Sequence, residues 1–363
     1  MMTGRVLNYY AEGNTARGFY SLYESNLQGL DKIFVLKGGP GTGKSTLIKN
    51  LAKEWNEKGY DVEVLHCSRE NGSIDGVIIP ELKVAVVNGN EPCAIVAKLP
   101  GLIEQYIDMS EALDIEKLKK HKKDMIKLTE ETDEKYKLAY SKFSEALKIH
   151  DEWEKIYISN MDFAKANAIT ADIIERILKD VRFDKKAVVK HRFFGGATPK
   201  GTTDFVPEIT KEMPKRYFIK GRPGSGKSSM LKKLAATAEE RGIDVEVYHC
   251  GFDPHSLDML IFRELGVVIF DSTSPHEYFP GRDNDEIVDM YEATIAPGTD
   301  EKYAAKLADI IKRYKKRVKE GIAALAEAKE IHDSLEEYYR YAMDFSKIEA
   351  IKVKINNYIE SIK

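Results

Sequence analysis

GGPGTGKST at residues 38–46 recurs as GRPGSGKSS at residues 221–229, and the reading of this repeated stretch decides the fold. Both copies follow Gly-x4-Gly-Lys-Ser, from Gly38 to Ser45 and from Gly221 to Ser228. A short apolar run precedes each, at residues 33–36 and 217–219, and apolar positions at helical spacing follow, as in Leu47, Ile48, Leu51 and Ala52. Strand, glycine loop and helix form the context of a phosphate-binding P-loop. Glycine permits the positive φ values and the close approach that let main-chain N–H groups surround an anion, and the helix dipole adds to their field. The expected cradles are Gly38, Gly39, Pro40, Gly41, Thr42, Gly43, Lys44, Ser45 and Thr46, and Gly221, Arg222, Pro223, Gly224, Ser225, Gly226, Lys227, Ser228 and Ser229. Lys44 and Lys227 are expected on the β- and γ-phosphates of ATP or another NTP, and the Ser45 and Ser228 hydroxyls on Mg²⁺.

The offset of 183 residues that joins Lys44 to Lys227 also aligns DVEVLHC (61–67) with DVEVYHC (244–250), and Ser73-Ile74-Asp75 with Ser256-Leu257-Asp258. Farther on it slips to 182, where IHDEWEKIYISNMDF (149–163) lies over IHDSLEEYYRYAMDF (331–345). Such self-similarity marks two copies of one unit. Within each copy a second strand is expected at Val62–His66 or Val245–His249, and a third at residues 84–87 or 267–270. The pattern predicts an α/β fold of two tandem P-loop NTPase domains with mainly parallel sheets, each followed by a long α-helical module. The expected boundaries are 1–186 (core to 101, helices from 102) and 187–363 (core to 283, helices from 284). Residues 111–182 contain no Pro or Gly, and their amphipathic spacing predicts helices that pack on a neighbour or a partner protein.

The acid that completes a P-loop metal site is expected at the end of the third strand. The second copy supplies Asp271 there, but the first has Asn88, which brings no charge. The second site is therefore expected to be the better Mg²⁺-dependent site. Asp75 and Asp258 fall in a loop after the second strand, where a carboxylate serves water, substrate or metal, or merely caps a helix. The candidate catalytic set is Lys44, Lys227, Asp271, Asp258 and Asp75, and the candidate metal set is Ser45, Ser228 and Asp271.

Weaker signals favour structural roles. His66-Cys67 and His249-Cys250 are adjacent on strands and point to opposite faces, which disfavours chelation of one ion. His150 and Glu154, like His332 and Glu336, share a helix face without an evident third ligand. The turns at residues 15–18 and 198–201 either support a base or simply connect strands, and the second is favoured. Arg17, Arg192 and Arg222 each offer charge to a phosphate, and the sequence does not choose among them.

Composition sets outer limits. Lys and Arg total 56 against 59 for Asp and Glu, a net charge of −3, which disfavours nucleic acid as the main partner. Three cysteines suit a reducing compartment better than a disulfide framework. No apolar run reaches the ~20 residues a membrane helix needs, so a cytoplasmic location is expected.

With both loops, DSTSPH (271–276) and KHRFFGGATPKG (190–201) in place, the chain resembles a bacterial family with two tandem P-loop ATPase domains, usually described as ATPases or nucleotide kinases. The resemblance implies ATP binding at both loops and brings no settled substrate. It also implies an acid, Gly-Thr and His in the first copy, where this chain has Asn88-Gly89-Asn90 and Cys93. Three functions follow in order of preference: NTP hydrolysis, a small-molecule or nucleotide kinase using Asp258 or Asp75 as base, and a non-catalytic nucleotide-binding scaffold. Self-association or an unknown protein partner through the helices is left open.

Overall fold

The computed structural model describes residues 3–363. The first half runs β1 (Val6–Tyr9), β2 (Glu12–Thr15), β3 (Gly18–Ser21), α1 (Tyr23–Asn26), β4 (Lys32–Lys37), α2 (Lys44–Glu57), β5 (Val62–His66), β6 (Ile74–Ile79), β7 (Val84–Asn88), β8 (Glu104–Asp108), α3 (Ile115–Lys119), α4 (Lys122–Ile158) and α5 (Phe163–Leu178). The second half runs β9 (Val189–Phe193), β10 (Gly195–Thr198), β11 (Gly201–Asp204), α6 (Val206–Ile209), β12 (Lys215–Lys220), α7 (Lys227–Glu240), β13 (Val245–His249), β14 (Leu257–Phe262), β15 (Val267–Asp271), β16 (Asp285–Asp289), α8 (Met290–Thr294), α9 (Thr299–Lys302), α10 (Ala304–Ala342) and α11 (Phe345–Ser361).

The sheets have the orders β1-β5-β6-β7-β4-β8 and β9-β13-β14-β15-β12-β16. Both are mixed α/β layers rich in parallel pairs, as the sequence pattern predicts. The central strand of each is the exception: β6 runs antiparallel to β5 and β7, and β14 to β13 and β15. The loop expected around Asp75 is therefore the start of a strand. Its apolar residues alternate between two cores, Val77 and Ile79 on one face and Ile78 on the other, and a tight turn at Pro80–Leu82 with Lys83 at φ 50° returns the chain into β7. Because β6 is reversed, Asp75 still lies at the carboxyl ends of β5 and β7.

The last strand of each sheet, β8 and β16, lies beyond the expected core limits of 101 and 283. These are edge strands of polar composition, and β8 leaves Gln105 and Tyr106 exposed, so no apolar run announced them.

Each sheet is buried on both faces. β4 alternates accordingly: Ile33 and Val35 enter one core, Phe34 and Leu36 the other. The first core joins the two sheets, with Val35, Leu65 and Val87 against a cluster that includes Phe218, Tyr248 and Phe270. On the outer face of the first sheet, Leu47, Ile48, Leu51 and Trp55 of α2 pack with Ile348, Ile355 and Ile359 of α11. On the outer face of the second, Met230, Leu231 and Leu234 of α7 pack with Ile173, Ile177 and Leu178 of α5. The helices that follow one sheet thus cover the other.

The crossing is made by α4 and α10. The pairs Lys135–Glu327, Glu145–Arg317 and Glu152–Arg313 show that these helices run antiparallel. Gly321 permits their closest approach, since a Cβ there would stand 2.4 Å from the Phe143 ring. No helix among the described residues is long and apolar enough to cross a membrane.

Candidate functional site: two phosphate cradles shared between the halves

Each P-loop joins an interior strand with parallel neighbours to a helix, β4 to α2 and β12 to α7, with Gly43 and Gly226 in the left-handed region at the helix N-cap. Lys44 folds back on its own loop, where its Nζ donates to the carbonyls of Gly38 (2.9 Å) and Gly39 (2.6 Å). Burial lowers its pKa to about 8, against the opposing pull of Asp75 and Glu336. Lys227 likewise donates to its own loop, at the Arg222 carbonyl (3.1 Å), and also stands 3.5 Å from Asp271.

The serine hydroxyls are set by the reversed central strands. Ser45 Oγ accepts from the Ile74 N–H and Ser228 Oγ from the Leu257 N–H, each at 3.0 Å. In the first site Asn88 donates to Asp75 Oδ1 at 2.8 Å. In the second, Asp271 Oδ1 accepts from the backbone and hydroxyl of Thr273. Asp258 is raised well above the usual carboxylate range by burial and then by the Asp271 charge. Lys227, Ser228, Asp258 and Asp271 all line one cavity of about 1260 Å³, and Lys44, Ser45, Asp75 and Asn88 line another of about 700 Å³.

The exchanged helices close both cavities. Lys329, His332, Glu336 and Arg340 of α10 and Phe345 of α11 line the first. His150, Trp153 and Glu154 of α4 and Phe163 of α5 line the second.

A family model described as the KAP family P-loop domain matches residues 19–217, more than half of the 363-residue chain. The chain belongs to the KAP P-loop family. No curated protein and no solved structure matches it. The match takes in the first P-loop of this KAP protein and ends within β12, just before the second. Membership implies nucleotide binding, typically with Mg²⁺. The donors fit: hydroxyl and carboxylate oxygens, the hard ligands Mg²⁺ takes, meet in the second cavity as Ser228 and Asp271.

Several weaker sequence signals find structural places in the KAP protein. His66 bonds Asn8 at 2.8 Å while Cys67 lines the first cavity, so the pair does point apart. The turn at residues 15–18 closes the β2–β3 hairpin through Thr15 Oγ1 to the Gly18 carbonyl. Two of the arginines left undecided are spent elsewhere: Arg17 pairs with Asp253, and the buried Arg192 pairs with Glu63 and stacks 3.5 Å from the Tyr9 ring. Arg222 lines the second cavity but is held by Asp300 at 3.0 Å.

Glu12 was not foreseen. It is fully buried on β2, lines the first cavity, and places a carboxylate oxygen within 4.8 Å of ligand atoms on Asp75 and Cys67. Ser68 donates to it from backbone and hydroxyl, and Cys93 Sγ from the side chain. The repeat explains the placement. Position 12 corresponds to Gly195, where a Cβ would stand 2.6 Å from the Thr203 carbonyl and 3.1 Å from the His276 ring, and His276 corresponds to Cys93. Small Cys93 leaves room for glutamate at one site; Gly195 leaves room for histidine at the other. The charge missing at Asn88 is thus matched by a carboxylate from a different element, a signal visible only as a Glu/Gly and Cys/His difference between the copies.

Proposed function

We propose that this protein binds Mg-NTP at both P-loops and hydrolyses it, with the second site carrying most of the turnover. The observation behind this reading is the convergence of Lys227, Ser228, Asp258 and Asp271 on one cavity. The loop amides and Lys227 bind the phosphates and hold the γ-phosphoryl group in place. Ser228 and Asp271 are the residues to hold Mg²⁺, which when bound neutralises charge on the phosphates. Asp258, kept basic by burial and by its neighbour, accepts the proton of an attacking water as its oxygen bonds to the γ-phosphorus and the NDP oxygen departs. At the first site the corresponding carboxylates are Asp75 and Glu12, with Asn88 at the end of β7 donating to Asp75.

The test is phosphate release from ATP by Lys44→Ala, Lys227→Ala and the double variant. The expected result is a near-complete loss for Lys227→Ala and a smaller one for Lys44→Ala. Equal losses would overturn the ranking of the sites, and inactivity of the folded, unmodified protein with Mg-ATP would overturn hydrolysis.

A further inference from the structure

The two cavities differ most away from the phosphates. A cleft for one small molecule measures roughly 300–1,000 Å³. The first cavity, about 700 Å³, suits a nucleotide alone, whereas the second, about 1260 Å³, exceeds it. The larger cavity is walled by Phe143 and Leu147 of α4, Phe252 after β13, and Tyr314, Val318 and Ile322 of α10.

The repeat shows why the first site lacks this annex. Phe252 corresponds to Arg69, Val318 to Tyr136 and Ile322 to Tyr140. The Arg69 guanidinium lies 3.7 Å from the Tyr136 ring centroid, and the Tyr140 hydroxyl donates to Asn14 at 3.0 Å. This stacked, hydrogen-bonded plug occupies in the first half the place left open in the second. There Phe252 makes edge contacts with Phe143 and Tyr314 instead. Lys315 and Lys319, four residues apart on α10, line the same cavity as exposed cations and form no ion pair among the described residues.

We propose that the second site, and not the first, binds a second small molecule beside its nucleotide: one with an aromatic or aliphatic body and an anionic group. The apolar wall takes the body, and Lys315 and Lys319 meet the charge. The proposal rests on the second P-loop being an NTP site.

The probe is 1-anilinonaphthalene-8-sulfonate, titrated into the full chain saturated with Mg²⁺ and a non-hydrolysable ATP analogue. One bound probe per chain is expected, with nucleotide retained. Phe252→Arg with Val318→Tyr installs the plug of the first site and is expected to weaken the probe at least about tenfold by removing its apolar wall, while two nucleotides still bind. As a check independent of core packing, Lys315→Glu with Lys319→Glu should weaken the sulfonate at least about threefold but leave neutral N-phenylnaphthylamine unaffected. Unchanged probe binding in the plugged variant would overturn the proposal. So would one-for-one expulsion of the probe by nucleotide, which would make the apolar wall the base pocket. Failure of the nucleotide itself to bind, measured separately with a fluorescent analogue, would overturn the NTP reading instead.

Discussion

The backbone N–H of Gly41 donates to the Glu336 carboxylate at 3.2 Å, and a Cβ on residue 41 would stand 2.7 Å from the Glu336 carbonyl oxygen. The second loop repeats the backbone approach, since a Cβ on Gly224 would stand 2.7 Å from the Glu154 carbonyl. Each P-loop therefore rests on the long helix of the other half. These glycines make the close helix contact possible. Both long helices, α4 and α10, line both cavities.

At the first loop the Glu336 carboxylate holds an amide that a phosphate would otherwise use. Glu336→Gln keeps the shape and removes the charge. In a Lys227→Ala background, nucleotide affinity at the first site should rise by roughly three- to tenfold, the worth of about 1 kcal/mol of charged hydrogen bonding. Titration with a fluorescent nucleotide reads it, and equal or weaker binding would contradict the competition.

Gly224→Ala should destabilise the nucleotide-free protein by about 1–3 kcal/mol, because residue 224 has φ +76° and its Cβ meets helix backbone that has no room to yield. A melting curve without ligand checks this. A variant that melts normally and loses only nucleotide binding would show that α4 does not lean on the loop.

Burial, then the Asp75 charge, raises the Glu12 pKa above its ordinary value. The folded protein then holds the Glu12 proton more tightly than the unfolded chain does. Glu12 contributes its full stability below the unfolded pKa, and that contribution is lost as pH rises through the folded one. Glu12→Gln should accordingly melt higher than the native protein at pH 8 without nucleotide, with the gap closing toward pH 4.5. The same variant should bind Mn²⁺-nucleotide more weakly at the first site in a Lys227→Ala background, read by titration calorimetry.

His66 behaves in the opposite sense. Burial depresses it to about 4, so its stability contribution is present above the unfolded value near 6.5 and is lost as pH falls toward 4. By linkage the loss is on the order of 3 kcal/mol. His66→Gln should flatten the stability profile over that window, measured by urea unfolding at stepped pH. An unchanged slope would mean His66 is solvated in the folded state.

Local features of the site were legible in the chain. The strand, loop and helix around Lys44 and Lys227 are contiguous, and Gly, Lys and Ser at fixed spacing carry their own geometric logic. Asp271 ends β15, and Asp75 lies at the carboxyl ends of β5 and β7 but on the reversed strand β6, which no local pattern distinguishes from a loop. Edge strands β8 and β16 escaped because half of each faces water, and Glu12 escaped because its partners Ser68, Asp75 and Cys93 lie 56 to 81 residues away.

The sequence by itself determined that two Gly-x4-Gly-Lys-Ser loops stand between a strand and a helix, and that helices with apolar stripes follow each sheet. Only the tertiary structure decided which sheet those stripes cover. Helical periodicity specifies a face and not its partner. The antiparallel run of α4 against α10 carries each helical segment past its own sheet to the opposite one. That crossing sets Glu336 on Gly41 and Glu154 on Gly224, and it leaves one cavity plugged and the other open.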